Sequence, residues 1–139
     1  MQGDGEDVQV NTHTDGEQSM PAVGIDAAGN IVVVWQSYGQ DGSGYGIYGR
    51  RFTPDGSLEF RVNSTYWGDQ TNPSLAVAQD GSFVVAWMSN QNGGETRIYA
   101  QRYNAQGRPQ GGEFAPGAEG GAQSDPVVAV DAAGNFVIA

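Results

Sequence analysis

Asp26 with Asn30, and Asp131 with Asn135, set oxygen-bearing side chains across a tight glycine turn, and turns of this kind can present oxygen ligands to calcium. One turn supplies fewer oxygens than the six to eight that calcium takes. An Asx turn, in which the side chain bonds its own backbone, needs only these residues. The acidic, glycine-rich segment 40–44 has a counterpart at 90–94 without an acid, so a calcium site common to all units is not expected. Tyr66, Trp67 and Asp69 lie in a polar linking segment, where exposed rings can stack on sugars while neighbouring polar groups meet hydroxyls. His13 is the single histidine and cysteine is absent. The sixteen carboxylates show no spacing of an acid facing a nucleophile, so no catalytic residue is assigned and the chain is not expected to be an enzyme.

These residues sit in a chain that repeats itself. Pro21, Pro73 and Pro126 recur at intervals of about 52 residues, and Gly29, Gly81 and Gly134 keep the same offsets, which is the signature of a solenoid, propeller or array. Asn11 with Gln18 returns as Asn63 with Gln70, and Trp35 returns as Trp87. A tryptophan placed identically in each unit points to packing between sheets. Units are expected over residues 1–58 and 59–110, with a shortened third over 111–139, as one continuous repeat domain.

Within the second unit, residues 74–78 read as a first strand and 82–88 as a second, joined by the Gln79-Asp80-Gly81 turn. The near-continuous apolar run of the second strand predicts burial on both faces. Residues 97–103 alternate with period two and form a third strand, and a short fourth is expected around Glu113 and Phe114. Four antiparallel strands per unit predict an all-β protein of β-propeller blades, with an open array of small stacked sheets as the alternative.

The sixteen acids against six arginines give a net charge of −10, which repels nucleic acid and anionic lipid. No apolar run is long enough to insert in a membrane as a helix. Residues 1–7 lack the basic and apolar regions of a signal peptide. A lysine-free, acidic composition rich in Gly, Asn, Gln and Thr suits an extracellular or cell-surface location.

The pattern running from Asn11, Gln18 and Pro21 through Asp26-Ala27-Ala28-Gly29-Asn30 to Trp35, then through the Gly- and Tyr-rich stretch 41–52, resembles the tandem repeats of large bacterial surface and secreted proteins. The Asp-to-Trp segment also resembles a loose Asp-box turn of sialidase-type propellers, although the middle unit has Ala78 at the leading position. What the resemblance implies is an extracellular, propeller-like, non-catalytic module. Two functions follow as expectations. One is a structural or adhesive module that assembles with other copies of itself through its incomplete third blade, strands of one copy completing the blade of the next, as a ring of three chains or a filament. The other is a lectin or adhesin that binds glycans through loops at the blade ends.

Overall fold

The computed structural model describes residues 9–11, 14–40, 42–64, 67–91, 95–116, 123–131, 133 and 135–139. Three antiparallel sheets follow one another along the chain. The first contains β1 (Gln18–Ile25), β2 (Ile31–Tyr38), β3 (Tyr45–Thr53) and β4 (Gly56–Arg61) in sequential order. The second contains β5 (Gln70–Val77), β6 (Phe83–Ser89) and β7 (Arg97–Tyr103), and the third pairs β8 (Val128–Val130) with β9 (Phe136–Ile138). Among the described residues there is no helix, and no sheet closes on itself.

The second strand of each larger sheet is central and buried on both faces, β6 between the first and third sheets and β2 between the second sheet and a cluster that includes Val10 and Phe52. β2 buries every residue from Ile31 to Ser37, and β6 is buried apart from half-buried Met88. Val32, Val34 and Ile47 of the first sheet, with Val62 just past β4, meet Phe83, Val85, Trp87, Tyr99 and Tyr103 of the second in one core. Phe83 and Tyr103 stack there with ring centroids 4.6 Å apart. Val84, Ala86, Ile98 and Ala100, on the opposite face of the second sheet, meet Val128 with Phe136 and Ile138 of the third. The period-two alternation of side chains thus gives each central strand two apolar faces, which in β6 meet the sheet before and the sheet after.

Two expectations about strand bounds change. β5 begins at Gln70 rather than at residue 74, passing through Pro73 by means of a bulge between Thr71 and Ser74. Asn72 adopts φ 52° at that bulge, and Met20 (54°) and Asp125 (49°) take the same left-handed conformation before Pro21 and Pro126. The extra residue steps the ladder past a proline that has no N–H to give. The fourth strand of the second unit is reduced to two isolated bridges, Tyr103 to Pro109 and Ala100 to Phe114.

Candidate assembly interface

Asp26 Oδ1 accepts hydrogen bonds from the backbone N–H groups of Ala28 and Asn30, and Oδ2 accepts from Asn30 Nδ2, at 2.8–2.9 Å. Asp131 makes the same three bonds with Ala133 and Asn135. Partial burial disfavours the Asp26 carboxylate, but the Asn30 and Ala28 donors and the nearby Arg51 charge outweigh it and hold its pKa below the usual range. These oxygens act as turn closures. Among the described residues no three His, Cys, Asp or Glu side chains converge as a metal-binding group. Gly29 (φ 87°) and Gly81 (φ 94°) supply the left-handed residue of the first two turns, and in the second turn Asp80 Oδ1 takes the N–H and hydroxyl of Ser82 instead.

Trp67 is exposed. Asp69, two residues on, is a clasp rather than an open acid. Its Oδ1 accepts from Tyr45 N at 3.0 Å, and its own N–H donates to Asn90 Oδ1 at 2.8 Å, tying loops of the first and second sheets to the linker. His13, Tyr66, Asp41 and Gly134 lie outside the described residues.

The linker carries a second clasp whose residues the sequence displayed only as repeat markers. Asn63 Oδ1 accepts from Ile47 N at 2.8 Å, and its amide donates to Gln70 Oε1 at 3.0 Å. Gln70 Nε2 then reaches the carbonyl oxygens of Trp67 and Gly68 and the hydroxyl of Ser89. Asn11 and Gln18 repeat the amide half of this clasp, from Asn11 Nδ2 to Gln18 Oε1 and from Gln18 Nε2 to Asp15 O, Gly16 O and Ser37 Oγ. The seven-residue spacing kept in both units was the available signal. In the third unit Gln123 Oε1 takes over as acceptor for Ile98 N.

Trp87 is fully buried between the first and second sheets. Trp35, its equivalent, lies in a smaller cluster with Ile31, Val33 and Tyr48 on the outer face of the first sheet, against Val10 and Phe52. Val10 stands one unit before Val62, which belongs to the core around Trp87. The carbonyl of Val10 also accepts a hydrogen bond from Arg50 Nη1 at 2.8 Å. A cavity of about 170 Å³ lined by Val10, Asn11, Gln18, Pro21, Val33 and Trp35 opens on this face.

The two ends of the stack differ from its interior in one respect. Leu75 and Val77 on β5 pack against the first sheet. Their equivalents on β1, Val23 and Ile25, are 69% and 61% exposed. At the far end Val137 is 68% exposed, where its equivalent Val84 is covered by the third sheet and only 4% exposed. Each end thus exposes apolar side chains at positions that the interior buries, while Val33 and Trp35 on the outer face of the first sheet stay buried against Val10 and Phe52. Comparison with protein-family models, curated proteins and solved structures gives no match to this chain.

Proposed function

We propose that this protein is a non-catalytic repeat module of β-propeller type, with a structural and adhesive role at the cell surface or outside the cell, that assembles through its open sheet faces. The observation that carries this reading is the repeated use of one sheet-to-sheet interface with its two apolar halves left open at opposite ends. Val23 and Ile25 are exposed where Leu75 and Val77 are packed, and Val137 is exposed where Val84 is packed. Repeat proteins draw their stability from such nearest-neighbour interfaces, and exposed sheet faces invite another sheet. Propeller blades are four-stranded sheets repeated around a central channel, and sheets that pack one on the next fit such an arrangement. The close approach of β1 to β5, where a Cβ built on Gly24 falls 3.2 Å from Val77 Cβ, supports that arrangement.

Sedimentation velocity at micromolar concentration tests the reading. Species heavier than a single chain are expected, and the double variant Val23→Asp/Ile25→Asp is expected to return to one chain with an unchanged far-UV dichroism spectrum. A single-chain mass for the unaltered protein at every concentration would overturn assembly. A second reading, glycan binding, rests on the exposed indole of Trp67. It predicts glycan-array signal that Trp67→Ala removes, and no signal from the unaltered protein ends it.

A further inference from the structure

We infer that the cavity beside Tyr103 binds a guanidinium group supplied by a ligand, in the place that the guanidinium of Arg50 holds one unit earlier. The site lies between the linker and β7, and the inference does not depend on the assembly reading.

The first unit shows the place filled. The Arg50 guanidinium lies over the Phe52 ring, 5.5 Å from its centroid. Its Nη1 donates to the Val10 carbonyl at 2.8 Å and its Nε to Ser57 Oγ at 3.0 Å. Register fixes the equivalents in the second unit. Arg50 pairs with Val33 and Phe52 with Ile31, as Gln101 pairs with Val85 and Tyr103 with Phe83. The second unit therefore keeps the carbonyl, in Val62, and an aromatic ring, in Tyr103, but sets the shorter and neutral Gln101 where the arginine stood.

The fourth strand opens the space further. From Phe52 to Gly49 and from Ser57 to Phe60 are three steps each, so β3 and β4 run level. From Tyr103 to Ala100 is again three steps, but from Pro109 to Phe114 is five. The two extra residues loop out, with Gly111 at φ 74°, and a Cβ built on Gly111 or Gly112 meets nothing within 4 Å. A cavity of about 370 Å³ results, bordered by Val62, Ser64, Gln101, Tyr103, Gly111 and Gly112.

Its walls are rich in acceptors. Gln101 is only 4% exposed, and its Nε2 donates to the carbonyls of Arg102 and Gly111 at 3.1 and 3.0 Å. Both partners are acceptors, which fixes the orientation of the amide and leaves Oε1 without a donor among the described residues. The Val62 carbonyl, whose equivalent takes Arg50, receives no hydrogen bond among the described residues either. Glu113 brings negative charge to the same wall. Its Oε2 accepts from Ser64 N at 3.0 Å and its Oε1 from Gln91 Nε2 at 3.1 Å, both uncharged donors. After burial, the Glu113 charge is the second cause that holds the Tyr103 hydroxyl protonated. A ring, unfilled acceptors and a carboxylate suit a planar cation that carries five N–H donors and no acceptor. Exposed Arg61 also borders the cavity, which makes an anion held by Arg61 the rival occupant.

Butylguanidinium and its neutral isostere butylurea separate the two. In amide NMR of the labelled protein, butylguanidinium should give saturable shifts concentrated at Ser64, Gln101, Gly111 and Gly112. Butylurea should bind at least about tenfold more weakly, the cost of losing a charge-assisted hydrogen bond. Glu113→Gln should weaken butylguanidinium by a similar factor, and Arg61→Ala should not weaken it. Gln101→Arg places the chain's own guanidinium in the cavity and should block binding with an unchanged dichroism spectrum; if that variant fails to fold, Glu113→Gln and butylurea still decide. A capped Gly-Arg-Gly peptide that binds more tightly than butylguanidinium assigns the site to an arginine presented by a partner protein, and weaker binding assigns it to a free small molecule. Equal binding of butylurea, loss of binding in Arg61→Ala, or no saturable shifts at the four residues would overturn the inference.

Discussion

Replacing Asn63 by alanine tests whether the linker clasp holds the first sheet to the second. Asn63 and Gln70 are fully buried, and Ile47, whose N–H donates to Asn63 Oδ1, is fully buried as well. The substitution leaves that N–H without its acceptor and removes a donor from Gln70 Oε1. A buried polar group left unsatisfied costs about 1–3 kcal/mol, so two such groups predict a loss of about 2–4 kcal/mol, given that Gln70 keeps its Nε2 bonds. Asn11→Ala removes the same side chain from the same motif, but Asn11 and Gln18 are half-buried and water can replace the lost bonds, so a loss under about 1 kcal/mol is expected. Urea denaturation followed by tryptophan fluorescence reads both. With m near about 2 kcal/mol/M, the Asn63 variant should move its midpoint down by roughly 1–2 M and the Asn11 variant by a fraction of that. Equal shifts for the two variants, or a larger one for Asn11→Ala, would refute the reasoning that burial between sheets sets the cost.

Three further outcomes can be checked. Gly24→Ala puts a methyl 2.5 Å from Val77 Cγ2 and should cost about 1–3 kcal/mol; in thermal denaturation the double variant with Val77→Ala should lose less than the sum of the two single changes. Burial, with a smaller push from the Glu113 charge, raises the Tyr103 hydroxyl above its ordinary value of 10.0. The neutral ring therefore favours the fold fully below pH 10, and that stability is lost as pH rises from there toward the folded pKa; Tyr103→Phe, followed by dichroism, should delay alkaline unfolding, and an unchanged or earlier transition would count against it. Because the Asp26 and Asp131 oxygens are already engaged by their turns, adding a calcium chelator should move the melting temperature by no more than about 1 °C, and a large fall would return these turns to consideration as metal sites.

The meander was legible because its signals are local. Alternation placed β7 at residues 97–103, and the apolar run of the second strand announced burial on both faces, which β2 and β6 show. Strand starts were less legible. Proline reads as a break, and only the bulge at Asn72 with its left-handed backbone shows how β5 continues back to Gln70. The fourth strand of the second unit dwindles to bridges where Pro109 lacks a donor and Gly111-Gly112 offer no side chains to pack. The role of Asn63 and Asp69 was hidden for another reason. Each reaches a residue 16 to 24 positions away in a neighbouring loop or strand, and spacing within one unit carries no record of such a reach. Asp69, for which sugar binding was expected from its neighbours Tyr66 and Trp67, spends its carboxylate on a backbone N–H.

Stacking also fixes where the molecule loosens first. The second sheet is covered on both sides, by Val32, Val34 and Ile47 from one neighbour and by Val128, Phe136 and Ile138 from the other, while each outer sheet has a neighbour sheet on one side only. In a structure held by nearest-neighbour contacts, opening proceeds inward from the ends, and amide protons record the order. Exchange with deuterium should therefore be fastest in β8 and β9 and slowest along β6, above all at Val85 and Ala86, which are fully buried in one core and the other. A neighbour seated on either end would slow exchange in the outer sheet that it covers and leave β6 as it is. The clock of the middle strand thus keeps the time of the whole fold, and the clocks of the two ends report on the company that it keeps.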